Sequence, residues 1–366
     1  PGPRAHTGRT PDPLWRLSPL GGEAVDEDWM PPDALLAPES IGQLFKAGRH
    51  ARWRACLLRQ HARRGDMALT LAFLEARDAQ GQETRETSSF LAMNRGKRSI
   101  TIDIAQPAGQ ALVRQLAADS DIVIENFKVG GLEKYGLDYA SLHKINPRLV
   151  YCSITGFGQT GPYAHRAGYD FIIQGMAGLM SVTGEPDGQP QKVGVAVTDV
   201  FTGVYAATAI LAALLQRNTT GLGQHIDMAL MDVATSIMAN QSMNYLVSGK
   251  APGKMGNAHP NLAPYAVFDC ADGWIILATG NDAQYRRLCA ILALDDMAEA
   301  AAYLTNADRI ANRVELTRRI TAATKTWSKA DLLDACEAQG VPAGPINDLA
   351  EVFADPQVLA RNLQIA

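Results

Sequence analysis

From residue 98 onward, blocks of alternating and helically spaced apolar positions follow one another and predict a strand–helix order. Ser99–Ile104 alternates with a period of two, as a half-buried strand does. Pro107 suits the first position of a helix, along whose face Ala111, Leu112 and Leu116 then fall. Asp121–Glu125 reads as a short buried strand, Leu132–Lys144 as a helix and Arg148–Ile154 as a further strand. This order predicts an α/β fold: a mostly parallel, Rossmann-like sheet closed by right-handed crossovers. No phosphate-binding glycine fingerprint follows these strands, so the architecture alone implies no nucleotide.

The longest apolar run, Val204–Leu215, is expected to be a buried helix, since at ~1.5 Å per residue it is too short for a bilayer core of ~30 Å. Beyond Gly223 the pattern predicts a long helix from Met228 to Val247 and a Gly/Pro-rich loop over Ser248–Pro264. Two strands follow, Tyr265–Asp269 and Trp274–Thr279, around a turn at Asp272-Gly273. Helices fill most of the rest to Gly340, and Val341–Asp355 is expected to return to the first lobe. The expected division is an atypical segment 1–90, a large α/β domain 91–223, a smaller inserted α+β domain 224–320 and a return segment 321–366.

Composition narrows the function. A net charge of -4 argues against a protein that coats nucleic acid, which needs a basic surplus. The run Lys46–Arg64 holds seven Lys or Arg residues, and the acidic balance elsewhere makes it a surface segment rather than a nucleic-acid patch. Five scattered cysteines have neither metal-ligand nor redox spacing and read as free thiols in a reducing compartment. With Pro, Gly, Arg and His at its start, the chain shows no signal-peptide pattern, and a cytoplasmic location is expected without membrane attachment. No cluster of His, Cys, Asp or Glu has ligand spacing, so no metal is expected.

A series of motifs then appears in order. Asn94-Arg-Gly-Lys-Arg-Ser-Ile-Thr-Ile-Asp103 is followed by Glu125-Asn-Phe-Lys-Val-Gly-Gly131 and Asn146-Pro-Arg-Leu-Val-Tyr-Cys-Ser-Ile154. After them stand Gly156-Phe-Gly-Gln-Thr-Gly-Pro162, Ala167-Gly-Tyr-Asp170, Gly178-Leu-Met-Ser-Val-Thr-Gly184 and Val193-Gly-Val-Ala-Val-Thr-Asp-Val-Phe-Thr-Gly203. Together they resemble the class III CoA-transferases, the family of formyl-CoA and carnitine CoA-transferases and of α-methylacyl-CoA racemase. The resemblance runs from about residue 90 to the end. Gly156–Pro162 and Gly344-Pro-Ile-Asn347 are closest in texture to the branch acting on succinyl-CoA and dicarboxylates. Residues 1–64 lack the family's opening strand and Ala-Gly-Pro turn; Gly65-Asp66 and Asp78-Ala-Gln-Gly81 look like remnants, as a shifted reading frame would leave. The chain also stops at Ala366, short of the family's usual C-terminal segment.

The resemblance implies CoA transfer between carboxylic acids with Asp199 as nucleophile. A carboxylate suits this role because, with a reference pKa of ~3.9, it is ionised at neutral pH and needs no general base. Without the resemblance, an Asp ahead of an apolar helical run reads as a helix N-cap. Tyr169 and Asp170 match a pair near the nucleophile. The racemases place a histidine at the first of these positions, and a phenol is a poor base near neutral pH, so transfer is favoured over racemisation. Asn257 and His259, in the loop Met255–Pro264, are candidate substrate contacts, as is Asp282, for which a helix cap is an equal reading.

Asn126, Phe127 and Lys134 match positions that line the CoA site; Lys97, Arg98 and Asp103 are further candidates there, the two cations for its phosphates. CoA thioester enters as a substrate, with no tightly bound cofactor. The family's quaternary state implies an interlocked homodimer, which an altered N-terminal region is expected to weaken. A racemase or epimerase, and a non-catalytic CoA-binding relative, are the other readings.

Overall fold

A computed structural model describes residues 55–58, 75–77, 83–87, 92–94 and 97–363. Most of the atypical segment 1–90, including nearly all of Lys46–Arg64 and both remnants, lies outside them. The chain divides into two compact units. One contains Ile102–Ile346 together with the strand Ala55–Leu58 (β1). The other includes the antiparallel pair Glu75–Arg77 (β2) and Glu83–Thr87 (β3), and two short helices, Leu349–Ala354 and Pro356–Ala360, each capped by an aspartate.

The larger unit is a mixed α/β structure with two separate sheets. Its parallel sheet has the order β1-β4-β5-β6, where β4 is Ile122–Glu125, β5 is Val150–Thr155 and β6 is His225–Ala229. In register, Val123, Tyr151 and His225 form one row, and Glu125, Ser153 and Asp227, two positions on, form the next row of the same face. Helix α1, Pro107–Ala118, covers this face: its Val113 and Ala117 pack with Val123, Tyr151, Leu137 and Leu142. A 24-residue helix covers the opposite face and runs from Val197 to Thr220. Its Ala206, Ile210, Ala213 and Leu214 pack on Ile122, Val150 and Cys152. Arg217 of the same helix is buried, donating to Asp121 at 2.8 Å and to the Arg148 carbonyl at 2.9 Å. The second sheet is antiparallel, with Tyr265–Cys270 (β7), Gly273–Ala278 (β8) and Ala343–Pro345 (β9) in that order. Its core draws on Phe268, Ile275, Leu277, Leu288, Leu316, Leu332 and Cys336.

Several elements differ from the sequence pattern, each for a local reason. Ser99–Ile104 forms no strand. The Asp103 carboxylate accepts from the Ala105 N–H at 2.9 Å and its carbonyl from the Gln106 N–H, a turn that feeds α1. The alternation nonetheless has a use, because Ile102 and Ile104 both pack on the core beside α1. On α1 the buried stripe is Gly109, Val113 and Ala117, whereas Ala111 is exposed. The predicted helix Leu132–Lys144 splits into a 3-10 turn at Glu133–Tyr135 and helix α2, Tyr139–Ile145, because Gly136 turns left-handed (φ 63°) and Asp138 caps the new start. The long helix predicted from Met228 opens instead as β6. It then forms two helices, Leu230–Ile237 and Ala239–Ser248, broken where Ala239 has φ 42°.

The apolar helix also departs from expectation. At ~1.5 Å per residue, 24 residues reach ~36 Å, so by length and composition it would suit a bilayer span. It is not buried all round: Leu211 and Leu215 are 63% and 72% exposed, and Val200, Val204 and Tyr205 face outward with them.

Candidate active site

Asp199 is not the cap of its helix. Ala196 holds the cap position, which places Asp199 third in the first turn. The first N–H groups of any helix lack internal partners. Here they are met from outside, by Asp170 at the start of helix Asp170–Met176. Its Oδ1 accepts from the Thr198 N–H at 2.8 Å, the Thr198 hydroxyl at 2.6 Å and, at a longer 3.4 Å, the Asp199 N–H. Asp170 is held in turn by Gln174, which is fully buried. The Gln174 amide donates to Asp170 Oδ2 at 2.6 Å and accepts the Val193 N–H at 2.9 Å. One side chain thus joins the capping carboxylate to the segment leading into Asp199.

The two carboxylates titrate in opposite senses. Burial pushes Asp170 up, but hydrogen bonds from Thr198, Gln174 and the Asp199 N–H outweigh it and hold the carboxyl below its usual range. Asp199 is pushed above the usual range, first by loss of water around it and then by the Asp170 charge. No hydrogen bond to the Asp199 carboxylate forms among the described residues, which leaves its oxygens free to attack. The positive end of the 24-residue helix dipole opposes the upward shift and keeps the anion accessible. A carboxylate without a hydrogen-bond donor, beside a neighbour whose oxygens are engaged, is chemically able to act as a nucleophile when it is ionised.

Glycines fix this pair on the sheet. The backbones of Gly156, just past β5, and Gly168 touch: a Cβ on Gly156 would meet the Gly168 Cα at 2.5 Å, and the reverse contact is the same. The Met231 N–H donates to the Gly156 carbonyl, so the start of the next helix shares the anchor. Tyr169–Asp170 is thereby set against the carboxyl edge of the parallel sheet, where open α/β sheets bind ligands. Gly168→Ala is therefore expected to cost roughly 1–3 kcal/mol by overpacking and to lower exchange activity by more than the stability loss explains. Urea unfolding beside the activity assay separates the two. Equal activity in the folded fraction would contradict the positioning role.

The remaining candidates are distributed as follows. Tyr169 caps helix Asp170–Met176 without a side-chain bond and is 72% exposed, next to exposed Phe171 and Ile172. Asn126 lies at the end of β4 and donates to the Ile154 carbonyl at 2.6 Å across the carboxyl edge. Phe127 is packed in the core below that edge, its N–H bound to the buried Glu125 carboxylate. Lys134 sits over the Tyr135 ring, 4.7 Å from its centroid. Lys97 donates to the Met93 carbonyl at 2.6 Å, and Arg98 is exposed. Asp103 is committed to the turn before α1.

The loop carrying Asn257 and His259 is pinned on its N-terminal side. The Gly256 N–H donates to the Gly184 carbonyl and Lys254 bonds the Gly188 carbonyl. Asn257 is exposed. The His259 Nδ1 accepts the Asn261 N–H at 3.1 Å while its carbonyl accepts from Arg313 at 2.7 Å. Asp282 is not the helix cap: Asn281 is, through the Gln284 N–H. Asp282 instead accepts from the buried Arg309 at 2.7 Å. These bonds tie Asp282 to the helical layer of the small sheet and none links it to Asp199. Among the described residues no group of His, Cys, Asp or Glu is placed to hold a metal ion, and Cys152, Cys270, Cys289 and Cys336 are buried free thiols.

Sequence reasoning missed Gln174, Thr198 and the Gly156–Gly168 contact. A polar Gln in the apolar stretch Phe171–Met176 was the available signal for the first; the two glycines lie in the motifs Gly156–Pro162 and Ala167–Asp170, which give no sign that they touch.

The profile of CoA-transferase family III matches residues 74–366. The succinate–glutarate CoA-transferase of Agrobacterium fabrum is 58% identical over 293 residues, 80% of this chain and 72% of that protein. The mouse succinyl-CoA:glutarate CoA-transferase is 41% identical, over 82% and 70% of the two chains. Among solved structures, a CAIB/BAIF family protein from Brucella suis matches with a TM-score of 0.69 and 54% identity, over 80% of this chain and 76% of that one. Rv3272 from M. tuberculosis matches with a TM-score of 0.67 and 29% identity, over 74% and 71%. The chain belongs to CoA-transferase family III, and it is a CoA-transferase working between acyl-CoA and carboxylate.

Proposed function

We propose that this enzyme moves CoA from a succinyl-CoA-like thioester to a small dicarboxylic acid through covalent intermediates on Asp199. The observation that carries this reading is the free Asp199 carboxylate, set in the first turn of its helix by Asp170. Asp199 attacks the thioester carbonyl, the C–S bond breaks, and a mixed anhydride and CoA thiolate result. The thiolate attacks the Asp199 carbonyl of that anhydride, releasing the donor acid and leaving CoA on the aspartate as a thioester. The incoming carboxylate displaces it, again through an anhydride, and the thiolate takes the new acyl group. Charge is conserved at each step and no water enters, which calls for a dry site. The dicarboxylate preference is supported by the relatives that are named for succinate, succinyl-CoA and glutarate. Mixing the enzyme with succinyl-CoA and a panel of free acids, with thioesters read by mass spectrometry, tests it. New dicarboxylyl-CoA species support the reading and their absence contradicts it. Transfer is preferred to racemisation because Tyr169 stands at the position of the racemases' proton-exchanging histidine.

The pH dependence follows from the two carboxylates. Asp199 must be ionised, and its pKa lies above the usual carboxylate range, so kcat/KM should begin to fall on acidification earlier than an ordinary aspartate would dictate. Asp170→Asn removes the neighbouring charge and should move the acid limb to lower pH, although fewer strong acceptors at the helix start should reduce the rate at neutral pH. An unmoved or upward-shifted limb would contradict the coupling.

The assembly we propose is a homodimer of interlocked subunits with a smaller inserted α+β domain, organised as segments 1–90, 91–223, 224–320 and 321–366. It is supported by the outward apolar face of the Val197–Thr220 helix, since patches of this kind mark interfaces. We propose a cytoplasmic location, with CoA thioester as substrate and no tightly bound cofactor.

A further inference from the structure

Gln174 is fully buried in the helix Asp170–Met176, next to Ile173, which packs on Leu230 and Ala234. A buried amide costs free energy unless its polar atoms are bonded, so a glutamine that only filled space would be a poor choice where Met or Leu fits. Both ends of this amide are bonded, and both bonds lead to Asp199. Its NH2 group donates to Asp170 Oδ2 at 2.6 Å, four residues earlier on the same helix, and its Oε1 accepts from the Val193 N–H at 2.9 Å. Only one orientation of the amide serves both partners, because the carboxylate needs a donor and the N–H an acceptor.

The segment that leads into Asp199 is thereby held at two points. Gln174 ties Val193, and Asp170 Oδ1 ties the Thr198 N–H at 2.8 Å. Between those points Gly194, Val195 and Ala196 are exposed, and a Cβ on Gly194 would meet no atom within 4 Å, so packing adds little to the placement. Loss of the amide removes the Val193 anchor and one of the bonds that orient Asp170.

We infer that Gln174 is a positioning residue for the reaction: its amide clamps Val193 to Asp170 and so holds the first helical turn, with Asp199 on it, where the carboxylate meets the thioester. This rests on the reading of Asp199 as nucleophile and adds a buried residue that acts through others. The alternative is that Gln174 only stabilises the fold.

Two variants separate the roles. Gln174→Met keeps much of the volume and removes both bonds. Gln174→Glu keeps the shape, and its effect turns on one proton, because two carboxyls at hydrogen-bond distance retain a proton between them. The protonated carboxyl donates to Asp170 and accepts from Val193 as the amide does; the ionised one repels Asp170. The other titratable groups around this position are Asp199, Lys192, whose ammonium lies 3.3 Å from the Val193 carbonyl, and the exposed Tyr169, Tyr205 and Asp232. Arg217, on the same helix as Asp199, is engaged by Asp121.

The test measures CoA transfer across pH in the wild type and both variants, with thermal melts to correct for the folded fraction. In Gln174→Met, kcat should fall about tenfold or more, as for a misplaced reacting group. KM for succinyl-CoA and for the acid should stay within about twofold, since no substrate contact is lost. The kcat of Gln174→Glu, taken as a ratio to the wild type at each pH, should lie near one on the acid side and fall toward that of Gln174→Met as pH rises. An unchanged kcat in Gln174→Met, or a Gln174→Glu ratio that does not vary with pH, would overturn the role. Should Gln174→Met not fold, the Gln174→Glu ratio decides alone. Amide hydrogen exchange at Val193 and Thr198 without substrate reports the clamp by itself, with Asp199→Ala assayed beside it. Faster amide exchange in Gln174→Met, with CoA transfer lost in Asp199→Ala, supports the positioning role. Faster amide exchange with CoA transfer retained in Asp199→Ala upholds the clamp and overturns the nucleophile reading instead. Unchanged amide exchange overturns the clamp.

Discussion

Asp199→Ala is expected to abolish acyl exchange, by about 10^4-fold or more, while leaving the fold at least as stable as before. The size of the loss follows from removing a nucleophile with no substitute, which in enzymes with covalent intermediates costs about that much in kcat. The retained stability follows from the site. The Asp199 carboxylate has no hydrogen bond among the described residues, whereas its backbone N–H, which the substitution keeps, carries the link to Asp170. Because the folded protein raises the pKa of Asp199, the ionised form is disfavoured in the fold. Above its unfolded pKa this carboxylate subtracts from stability, and its removal relieves that penalty. Asp170 works the other way: its pKa is lowered, so its contribution is fully present above the unfolded value and is lost as pH falls through the folded one. Asp199→Asn should resemble Asp199→Ala in rate and Asp170→Ala should differ by destabilising the protein. Mass spectrometry of the thioesters and urea unfolding of the three variants check this. A drop in stability for Asp199→Ala comparable to that of Asp170→Ala would mean that the carboxylate is structural.

The second large effect concerns Arg309. It is 1% exposed, yet its head bonds the carbonyls of Ala263, Tyr303 and Leu304 and pairs with Asp282 at 2.7 Å, while its plane lies 4.5 Å from the Tyr285 centroid. Arg309→Met fills much of the volume but leaves those carbonyls without their donors and Asp282 without its cation. Each buried carbonyl left without its donor costs about 1–3 kcal/mol, so urea unfolding should show a loss of that order or more, to which the half-exposed Asp282 adds little. Asp282→Asn should cost less, since its side chain is half exposed and the amide oxygen can still accept. This assigns Asp282 a packing role: its substitution should move the unfolding midpoint and leave KM for the acid unchanged. The converse pattern would restore Asp282 as a substrate contact.

How far the sequence reveals this depends on the range over which each signal acts. Asp199 was legible as a candidate because several motifs stand in order around it, and the parallel sheet because short apolar runs alternate with helical spacing. The start of the Val197–Thr220 helix was not. An Asp before an apolar run resembles a cap, and only the three-dimensional placement of Asp170, 29 positions earlier, shows that the cap comes from another helix. The strand His225–Ala229 alternates visibly, but the apolar residues after it extend the helical pattern back over it. The break at Ala239 carries neither Gly nor Pro and gives no local warning. The exposed half of the apolar helix was also hidden, since periodicity cannot separate a face that meets the same chain from one left facing out.

The most direct test of the central claim follows oxygen rather than CoA. In the proposed sequence the acceptor carboxylate attacks the Asp199–CoA thioester, and the thiolate then takes the acyl group from the anhydride. One acceptor oxygen is left on Asp199. Turnover with succinyl-CoA and glutarate carrying heavy oxygen in both carboxylates, followed by digestion and fragmentation of the peptide between Lys192 and Arg217, should place heavy oxygen on Asp199 and on no other residue. Exchange that proceeds while Asp199 stays unlabelled would contradict the aspartyl intermediate.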